Sequence, residues 1–539
     1  MHADALIERV SHPQDAGRVP VRQAVTDLLR QFGVTTLFGN PGSTELGLFL
    51  DFPSDFRYVL GLQESVVVGM ADGYAQATRN AAFINLHSAV GVGHAMGAIF
   101  TAYRNRTPLV ITAGQQSRAI LPYDPFLFSS QATELPKPYV KWSIEPARAE
   151  DVPQAIARAY YMAMQPPCGP VLVSVPADDW GRLCEPVLAR QVSRSVRPDP
   201  LLLDQIGRQL DAARRPAFVL GAAVDRDGAW DDVVALAERH RAAVWMAPMS
   251  GRNGFPEDHP LFAGFLPASR ERIVELLGGR DFILALGAAA FTYHIEGEGP
   301  HIPAGSVLAQ IVDDPNTLAW APVGTAVQGS VRQSARDLLA RPRPASRRDP
   351  PARPPAPRAE PAPLMSVAYA LQTLAAVRAP DSIIVEEAPS ARPVMQRYLP
   401  ILRPETFYTM CSGGLGFGLP AAVGVALGKP DRKVIGVLGD GSSMYSIQGL
   451  WSAAQLGLPI TFLILKNRSY AALREFAPVY GFTEGDALHG VDLPDIDFVA
   501  LARGLGCEAM RVSDPDALPA ALREALDTKR PVLLEIEVA

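Results

Sequence analysis

The sequence predicts an α/β protein of three domains, in which two related parallel-sheet domains flank a central Rossmann-like α/β domain. Three observations carry this expectation. Short apolar runs ending in Gly- or Asn-containing turns alternate with helix-period segments along most of the chain, the pattern of βα units in a parallel sheet. A length of 539 residues is enough for about three domains. Residues 341–363 (RPRPASRRDPPARPPAPRAEPAP) are rich in proline, which cannot donate to a backbone ladder and favours extended conformation, so they read as a linker. The expected division is an N-terminal extension at 1–20, a first α/β domain at 21–190, a central one at 191–340, the linker at 341–363 and a last domain at 364–539.

Composition narrows the class. Hydrophobic content of 48% and charged content of 20% are those of a soluble globular protein. The net charge of −6 with no basic block argues against nucleic acid as a partner. No window approaches the roughly 18 uninterrupted apolar residues of a membrane helix, so no membrane partner is expected. The four cysteines, Cys168, Cys184, Cys411 and Cys507, are scattered without a CxxC pair. That pattern suggests reduced thiols, a cytoplasmic location and no zinc site. The first 20 residues hold Asp, Glu and His without an apolar core, unlike a signal peptide.

In the first domain, residues 21–32 have helical spacing (Val21, Ala24, Leu28, Leu29), and Gly33 ends the helix. Residues 35–38 read as a strand entering Gly39-Asn40-Pro41-Gly42-Ser43, and 58–62 as a strand delivering Gln63-Glu64. A small-residue helix at 65–79 follows, with Ala71, Gly73 and Ala75, then a strand at 82–86 ending at His87. Gly91 and Gly93 open another helix, and strands at 109–113 and 171–175 complete the sheet. Ser43, Glu64 and His87 thus fall at strand ends, where open α/β sheets bind ligands. The central domain has candidate strands at 217–221, 243–246, 282–286 and 307–312. None leads into GxGxxG, so no dinucleotide fingerprint is present. Tyr293-His294 lies on a loop after the third.

The last domain holds the densest signal. After a helix at 365–377, a strand at 382–386 and the turn Ser412-Gly413-Gly414-Leu415-Gly416-Phe417-Gly418, an apolar run at 434–438 meets Gly439-Asp440-Gly441-Ser442. A tight turn is expected there, then a helix at 446–457 and a strand at 460–465 ending at Lys466-Asn467. This βαβ unit brings Asp440 and Asn467 to the carboxyl ends of two strands. One carboxylate and one amide oxygen suit Mg²⁺ completed by phosphate oxygens and water. The glycines let backbone N–H groups approach a phosphate, and a following helix N-terminus favours its charge.

The stretches Phe38-Gly39-Asn40-Pro41-Gly42-Ser43, Leu62-Gln63-Glu64, Ala71-Asp72-Gly73-Tyr74-Ala75, Ile84-Asn85-Leu86-His87-Ser88, Thr112-Ala113-Gly114-Gln115-Gln116, Val140-Lys141-Trp142-Ser143, Tyr293-His294, Gly413-Gly414-Leu415-Gly416-Phe417 and Tyr470-Ala471-Ala472-Leu473-Arg474 carry a resemblance. With the GDG…Asn corner, and in this order over nearly the whole chain after Val21, the sequence resembles the thiamine diphosphate-dependent 2-oxo acid decarboxylase family, and within it the benzoylformate decarboxylases. The resemblance implies that the flanking domains bind the pyrimidine (21–190) and the diphosphate with its metal (364–539). It implies thiamine diphosphate and Mg²⁺, with Ca²⁺ as a substitute, a small-molecule 2-oxo acid substrate, and a homodimer at minimum, paired into a homotetramer. The implied reaction is non-oxidative decarboxylation of an aryl 2-oxo acid, benzoylformate to benzaldehyde and CO₂, through a cofactor ylide and enamine. Carboligation is the implied side activity.

The same resemblance assigns roles. Glu64, on the residues alone a strand-end carboxylate, becomes the acid that activates the cofactor through its aminopyrimidine. Ser43 binds the substrate carboxylate, and His87 and His294 move protons, which an imidazole can do near neutral pH. Gly413 offers its carbonyl to the cofactor's amino group, and Leu415 bends the cofactor. Asp440, Asn467 and the Ser469 carbonyl hold the metal; Asn40, Gly42, Pro389, Gly439, Gly441, Ser442, Tyr470 and Ala471 complete the cofactor contacts. Phe126, Leu127, Ala472, Leu473 and Phe476 line an apolar substrate pocket with Ser43. His94 and His301 lie outside the motifs and read as structural. Lys466, Pro389, Met410, Cys411 and Phe126 depart from the family pattern. An acetohydroxyacid-synthase-like carboligase with FAD in the central domain, and a non-catalytic scaffold that kept the fold, remain alternatives. The pyruvate and indolepyruvate decarboxylases fit less well, since no adjacent His-His pair is present.

Overall fold

The structure, a computed structural model, describes residues 17–483 and 485–539. Most of the expected N-terminal extension, residues 1–16, lies outside the described residues. Its end is not loose: Val19–Pro20 pairs antiparallel with Leu183–Cys184, and Val21 N–H donates to Arg182 carbonyl at 2.8 Å. The entry of the chain is thereby tied to the end of the first domain.

Three six-stranded sheets follow one another. The first contains β1 (Thr36–Asn40), β2 (Arg57–Leu60), β3 (Ala82–Leu86), β4 (Leu109–Gln115), β5 (Ser143–Ile144) and β6 (Pro170–Pro176), in the spatial order β2-β1-β3-β4-β6-β5. The second contains β7 (Pro216–Leu220), β8 (Ala243–Met246), β9 (Phe262–Phe265), β10 (Phe282–Leu286), β11 (Val307–Val312) and β12 (Thr325–Gln328), ordered β9-β8-β7-β10-β11-β12. That is the doubly wound order of dinucleotide-binding sheets. The third contains β13 (Ile383–Glu387), β14 (Phe407–Thr409), β15 (Val434–Gly439), β16 (Ile460–Lys466), β17 (Glu508–Val512) and β18 (Val532–Glu537), ordered β14-β13-β15-β16-β18-β17. The first and third sheets share one topology, so the two flanking domains are a structural pair. All pairings within the three sheets are parallel. Central strands such as β3, β4 and β6 are buried at every residue, as helices on both faces require.

The strands that sequence reading missed are mostly edges or near edges: β5, β9, β12, β14 and β17 are short or partly exposed and lack a continuous apolar run. β18 is different. It is interior, but Glu535 interrupts its apolar run, and that buried carboxylate is paired with Lys466 at 2.8 Å and Arg511 at 2.8 Å.

Three helices matter for the site: α1 (Glu64–Thr78), α2 (Ser88–Asn105) and α3 (Gly418–Gly428). α1 of the first domain and α3 of the third cross backbone to backbone. A Cβ on Gly73 would lie 2.8 Å from Ala421 Cα, one on Gly424 2.6 Å from Tyr74 N, and one on Gly69 2.6 Å from Pro420 Cγ. The small residues of α1 are therefore a packing requirement. The central domain is clamped to both neighbours by a buried ion pair, Arg252 with Asp225 at 3.0 Å. Arg252 also donates to Gln76 carbonyl at 3.0 Å and lies 4.8 Å over the Tyr408 ring, while Glu405 N–H donates to Asp225 at 3.0 Å. The proline-rich segment has no regular structure, yet arginines bind it down. Arg341 pairs with Asp204 and Asp211, Arg347 donates to the carbonyls of Leu210, Asp211 and Ala213, and Arg353 donates to Gln396 carbonyl. It is an irregular linker docked on its neighbours.

Gly424→Ala should lower the midpoint of thermal unfolding, at a cost of about 1–3 kcal/mol for overpacking. Gly504→Ala, where a Cβ meets nothing within 4 Å, should not. Equal midpoints for the two variants, followed by circular dichroism, would contradict the crossing as described.

Candidate active site

The first domain builds its half of the site at the carboxyl ends of β1, β3 and β4. After Asn40, the turn at Gly42 leads into a 3₁₀ turn, Ser43–Glu45. Ser43 is exposed, whereas Glu45 is 1% exposed. Glu45 Oε2 accepts from Gly42 N–H at 2.8 Å and faces His87 Nδ1 at 2.9 Å; its Oε1 accepts from Thr44 Oγ1 at 2.6 Å. An ionised Glu45 can only accept, which would put the proton of His87 on Nδ1 and leave Nε2 outside this contact. The packing is tight: a Cβ on Gly114 would lie 2.9 Å from Glu45 Cδ, and one on Gly42 would meet the His87 ring. Sequence reading missed Glu45. It stands beside the Asn40–Ser43 motif, but its partner His87 is 42 residues away.

Glu64 heads α1 rather than ending β2. Gln63 caps the helix, its side-chain oxygen accepting from Ser65 N–H at 2.7 Å and Val66 N–H at 3.3 Å. The Glu64 side chain lies over α2, where a Cβ on Gly91 would be 3.3 Å from Oε1. Its Oε2 is 3.0 Å from His94 Nδ1. His94, read from the sequence as structural, thus touches the carboxylate. Two non-glycine residues with left-handed backbone sit nearby, Ser88 (φ 46°) and Leu127 (φ 64°), and Ser88 Oγ donates to Leu127 carbonyl at 2.8 Å. Such strain collects at ligand sites. Gln115 and Gln116 fix the loop that carries Phe126 and Leu127, donating to Ser129 carbonyl at 2.8 Å and Phe126 carbonyl at 2.6 Å.

In the third domain β15 runs straight into α4 (Asp440–Met444), and the chain becomes helical again only at Gly449–Gln455. The expected turn and single helix at 446–457 are thus replaced by two short helices with Asp440 at the head of the first. Asp440 is buried. Its Oδ1 accepts from Gly441 N–H at 2.7 Å and its Oδ2 from Arg468 N–H at 2.6 Å. Burial raises its pKa, and these donors work against that rise. A Cβ on Gly441 would lie 2.8 Å from Tyr470 Cδ1, so glycine is needed beside Tyr470. Asn467 follows β16, and its Oδ1 accepts from Ser469 N–H at 3.1 Å. Between them Arg468 has φ 58°.

Asp440, Asn467 and Ser469 supply one carboxylate and neutral oxygens. Among the described residues no group of three His, Cys, Asp or Glu side chains could hold a metal. A hard cation at this corner would need further oxygens from its ligand, which is how Mg²⁺ is held beside phosphates. The residues fit a diphosphate with its metal on that ground. Lys466 does not disturb the corner: its Nζ donates to Ile496 carbonyl at 2.6 Å and pairs with Glu535, and neighbouring residues of a strand face opposite sides.

The glycine turn is anchored by another residue absent from the sequence reading. Glu387 accepts from Gly416 N–H at 2.6 Å and from Gly418 N–H, and burial pushes its pKa to about 8. Gly413 has φ 73° with open space around it, and Leu415 is half-buried beside it. Ser412 Oγ meets Thr101 Oγ1 of α2 at 2.9 Å. Of two departures from the family pattern, the Met410 sulfur lies against Thr409 and Arg392, and the Cys411 sulfur lies beside Gly251 of the central domain while the Cys411 N–H donates to Asn105 at 2.9 Å. Pro389 is exposed after the buried Ala388.

The central domain contributes His294, whose ring centroid is 4.8 Å from that of Phe476 on α5 (Ala471–Phe476). His301 bonds Tyr293 Oη at 2.8 Å, beside His294. Ala472 is half-buried, but Phe126 is 86% and Leu473 54% exposed, so one chain does not close a pocket around them. The structure brings Ser43, Glu45, Glu64, His87 and His94 into one cluster, and Asp440, Asn467, Ser469 and Tyr470 into another. No hydrogen bond or ion pair among the described residues joins the two.

Three family models match the chain in order: "Thiamine pyrophosphate enzyme, N-terminal TPP binding domain" at residues 20–133, the central domain at 203–338, and the C-terminal TPP binding domain at 390–536. A benzoylformate decarboxylase of Pseudomonas aeruginosa is 45% identical over 96% of this chain and 98% of its own length. The crystal structure of benzoylformate decarboxylase from Polynucleobacter necessarius superposes with TM-score 0.94 at 41% identity, covering 96% of this chain and 98% of that one. The thiamine diphosphate-dependent 4-hydroxybenzoylformate decarboxylase of Rhodococcus jostii RHA1 gives 0.93 at 41% identity, covering 96% and 99%. On these matches and the three-sheet architecture, the chain belongs to the thiamine pyrophosphate enzyme family.

Proposed function

We propose that this protein decarboxylates an aryl 2-oxo acid of the benzoylformate type to the aromatic aldehyde and CO₂. The observation that carries the aryl reading is the contact of His294 with Phe476, ring centroids 4.8 Å apart and planes tilted by 33°, which sets an imidazole against apolar aromatic surface. The similarity to benzoylformate decarboxylases over nearly the whole chain supports it.

Bound thiamine diphosphate supplies a carbon nucleophile for the ketone and an acceptor for the electron pair released with CO₂. The chain's residues do the rest. Ser43 binds the substrate carboxylate. Glu64 gives a proton to, and takes it from, the cofactor's aminopyrimidine nitrogen N1′. His87, held by Glu45, and His294 move protons at the former ketone oxygen and carbon. Gly413 and Leu415 orient the cofactor; Asn40, Gly42, Pro389, Gly439, Gly441, Ser442, Tyr470 and Ala471 surround it. Asp440, Asn467 and the Ser469 carbonyl would hold Mg²⁺, or Ca²⁺ in its place, which would offset the charge of the diphosphate. Phe126, Leu127, Ala472, Leu473 and Phe476 exclude water around the aryl group.

The two residue clusters are open and lie on different domains, which supports a site completed by a second copy of the chain. The working unit is then a homodimer, with a homotetramer as a pair of dimers. The four free cysteines support a reducing, cytoplasmic location. No helix among the described residues is long and apolar enough to cross a membrane.

Burying a phenyl ring gains roughly 25 cal/mol per Å² of apolar area, and a methyl group offers far less area. The kcat/KM for benzoylformate should therefore exceed that for pyruvate by at least about a hundredfold, on the order of 2.7 kcal/mol. Phe476→Ala should shrink the ratio by lowering the benzoylformate value alone. Steady-state kinetics on both acids decide this, and equal efficiency, or acetolactate as the main product from pyruvate, would overturn the aryl reading. Asp440→Ala should weaken Mg²⁺ and diphosphate binding together, because the only carboxylate of the corner is lost. Cofactor titration at low Mg²⁺ measures this, and unchanged affinity would place the metal elsewhere.

A further inference from the structure

The carboxylates around the site differ in one respect. Glu45 has both oxygens bonded, Oε1 by Thr44 and Oε2 by Gly42 and His87. Glu387 has both bonded by backbone N–H groups, and so does Asp440. Glu64 does not. Its Oε2 has His94 Nδ1 at 3.0 Å, while Oε1 has no protein partner among the described residues and lies against Gly91. Gly91 and His94 are three residues apart on α2, so they share a helix face, and the Glu64 side chain lies along it. The lack of a side chain at 91 makes room for the carboxyl, and His94 grips its far oxygen. His87 is the other titratable ring near this face, and its Nδ1 is committed to Glu45. Among the described residues, His94 is thus the one titratable side chain bonded to Glu64.

We propose that His94 is a positioning residue for Glu64. Its Nδ1–H donates to Oε2, turning Oε1 toward the cofactor as the oxygen that exchanges the proton. This rests on the reading that Glu64 activates the cofactor. In the transfer the Oε1–H bond breaks, the proton goes to the aminopyrimidine nitrogen, and the electron pair stays on the carboxyl group as carboxylate charge. That charge spreads to Oε2, where the His94 N–H bond strengthens, because hydrogen bonds to ionised acceptors are about twice as strong as neutral ones. His94 neither gains nor loses a proton. Its side chain is 57% exposed and that of Glu64 11%, so His94 can be replaced without opening a core cavity.

The test uses the full-length chain with three variants. His94→Phe keeps a ring and removes the donor; His94→Asn keeps an N–H close to the place of Nδ1; Glu64→Ala removes the acceptor. In cofactor-free protein labelled with ¹⁵N-histidine, the wild type should show a hydrogen-bonded Nδ1–H signal that both His94 variants remove and that Glu64→Ala shifts or abolishes. With thiamine diphosphate and Mg²⁺ bound, deuterium exchange at the cofactor's C2 should fall by about tenfold or more in His94→Phe, the scale of a lost bond to a charged group. His94→Asn should stay within about threefold of wild type, and cofactor affinity should be little changed in either. Wild-type exchange in His94→Phe, alongside lost exchange in Glu64→Ala, overturns the role of His94 alone. Normal exchange in Glu64→Ala overturns the reading of Glu64 beneath it. An unshifted Nδ1–H signal in Glu64→Ala overturns the contact itself, even if His94→Phe fails to fold.

Discussion

The backbone contact between α1 and α3 is the constraint on which the site depends. Gly73 and Gly424 are bare where the two helices cross, and a Cβ at either would strike the opposite backbone. α1 carries Glu64 at its first turn, and α3 begins where Glu387 grips Gly416 and Gly418. Within one chain, the crossing therefore fixes Glu64 relative to the glycine turn. The Arg252–Asp225 pair adds the central domain to this frame. Breaking it would leave a buried charge uncompensated, a cost of about 3–5 kcal/mol in comparable cases. With that clamp in place, a loop of the central domain reaches far enough to lay His294 on Phe476.

Buried carboxylates divide the remaining work. Glu45 orients a histidine, Glu387 shapes the turn, Asp440 ties the corner at 439–442 to Arg468, and Glu64 keeps one oxygen open. Burying such groups is costly unless donors satisfy them. In the first three, the donors are backbone N–H groups and neighbouring side chains brought in by glycine turns, which fixes their geometry. Only Glu64 is left partly unsatisfied, and it is the one assigned a proton to exchange.

The legible parts of the sequence were those whose partners lie close along the chain. The Asp440–Asn467 corner is a strand, a helix start and a strand in succession, and its residue types already suggest a hard cation and a phosphate. The paired flanking domains showed as two similar βα-rich segments. Glu64 and His87 carried no chemistry by themselves and gained it only from the motifs around them. Glu45, His94 and Glu387 were illegible because their contacts join residues 42, 30 and 29 positions apart, which no local period encodes. Composition marks residues 341–363 as a linker, but it does not reveal the arginine contacts that bind the segment to the central domain. Lys466 looked like a defect in the metal motif, while its side chain serves a buried ion pair on the other face of β16.

Each half of the site is ordered within its own domain and open on this chain, and the proposed dimer would bring the two together. Their meeting is tested by assembling one dimer from two damaged chains. Co-expressed Glu64→Gln and Asp440→Ala chains, carrying different tags, can be purified as the mixed dimer. If each site takes Glu64 from one chain and Asp440 from the other, the mixed dimer holds one intact site and one doubly damaged site. It should recover about half of the wild-type decarboxylase activity per dimer, while each parent homodimer stays inactive. A mixed dimer no more active than its parents would contradict a site shared between chains.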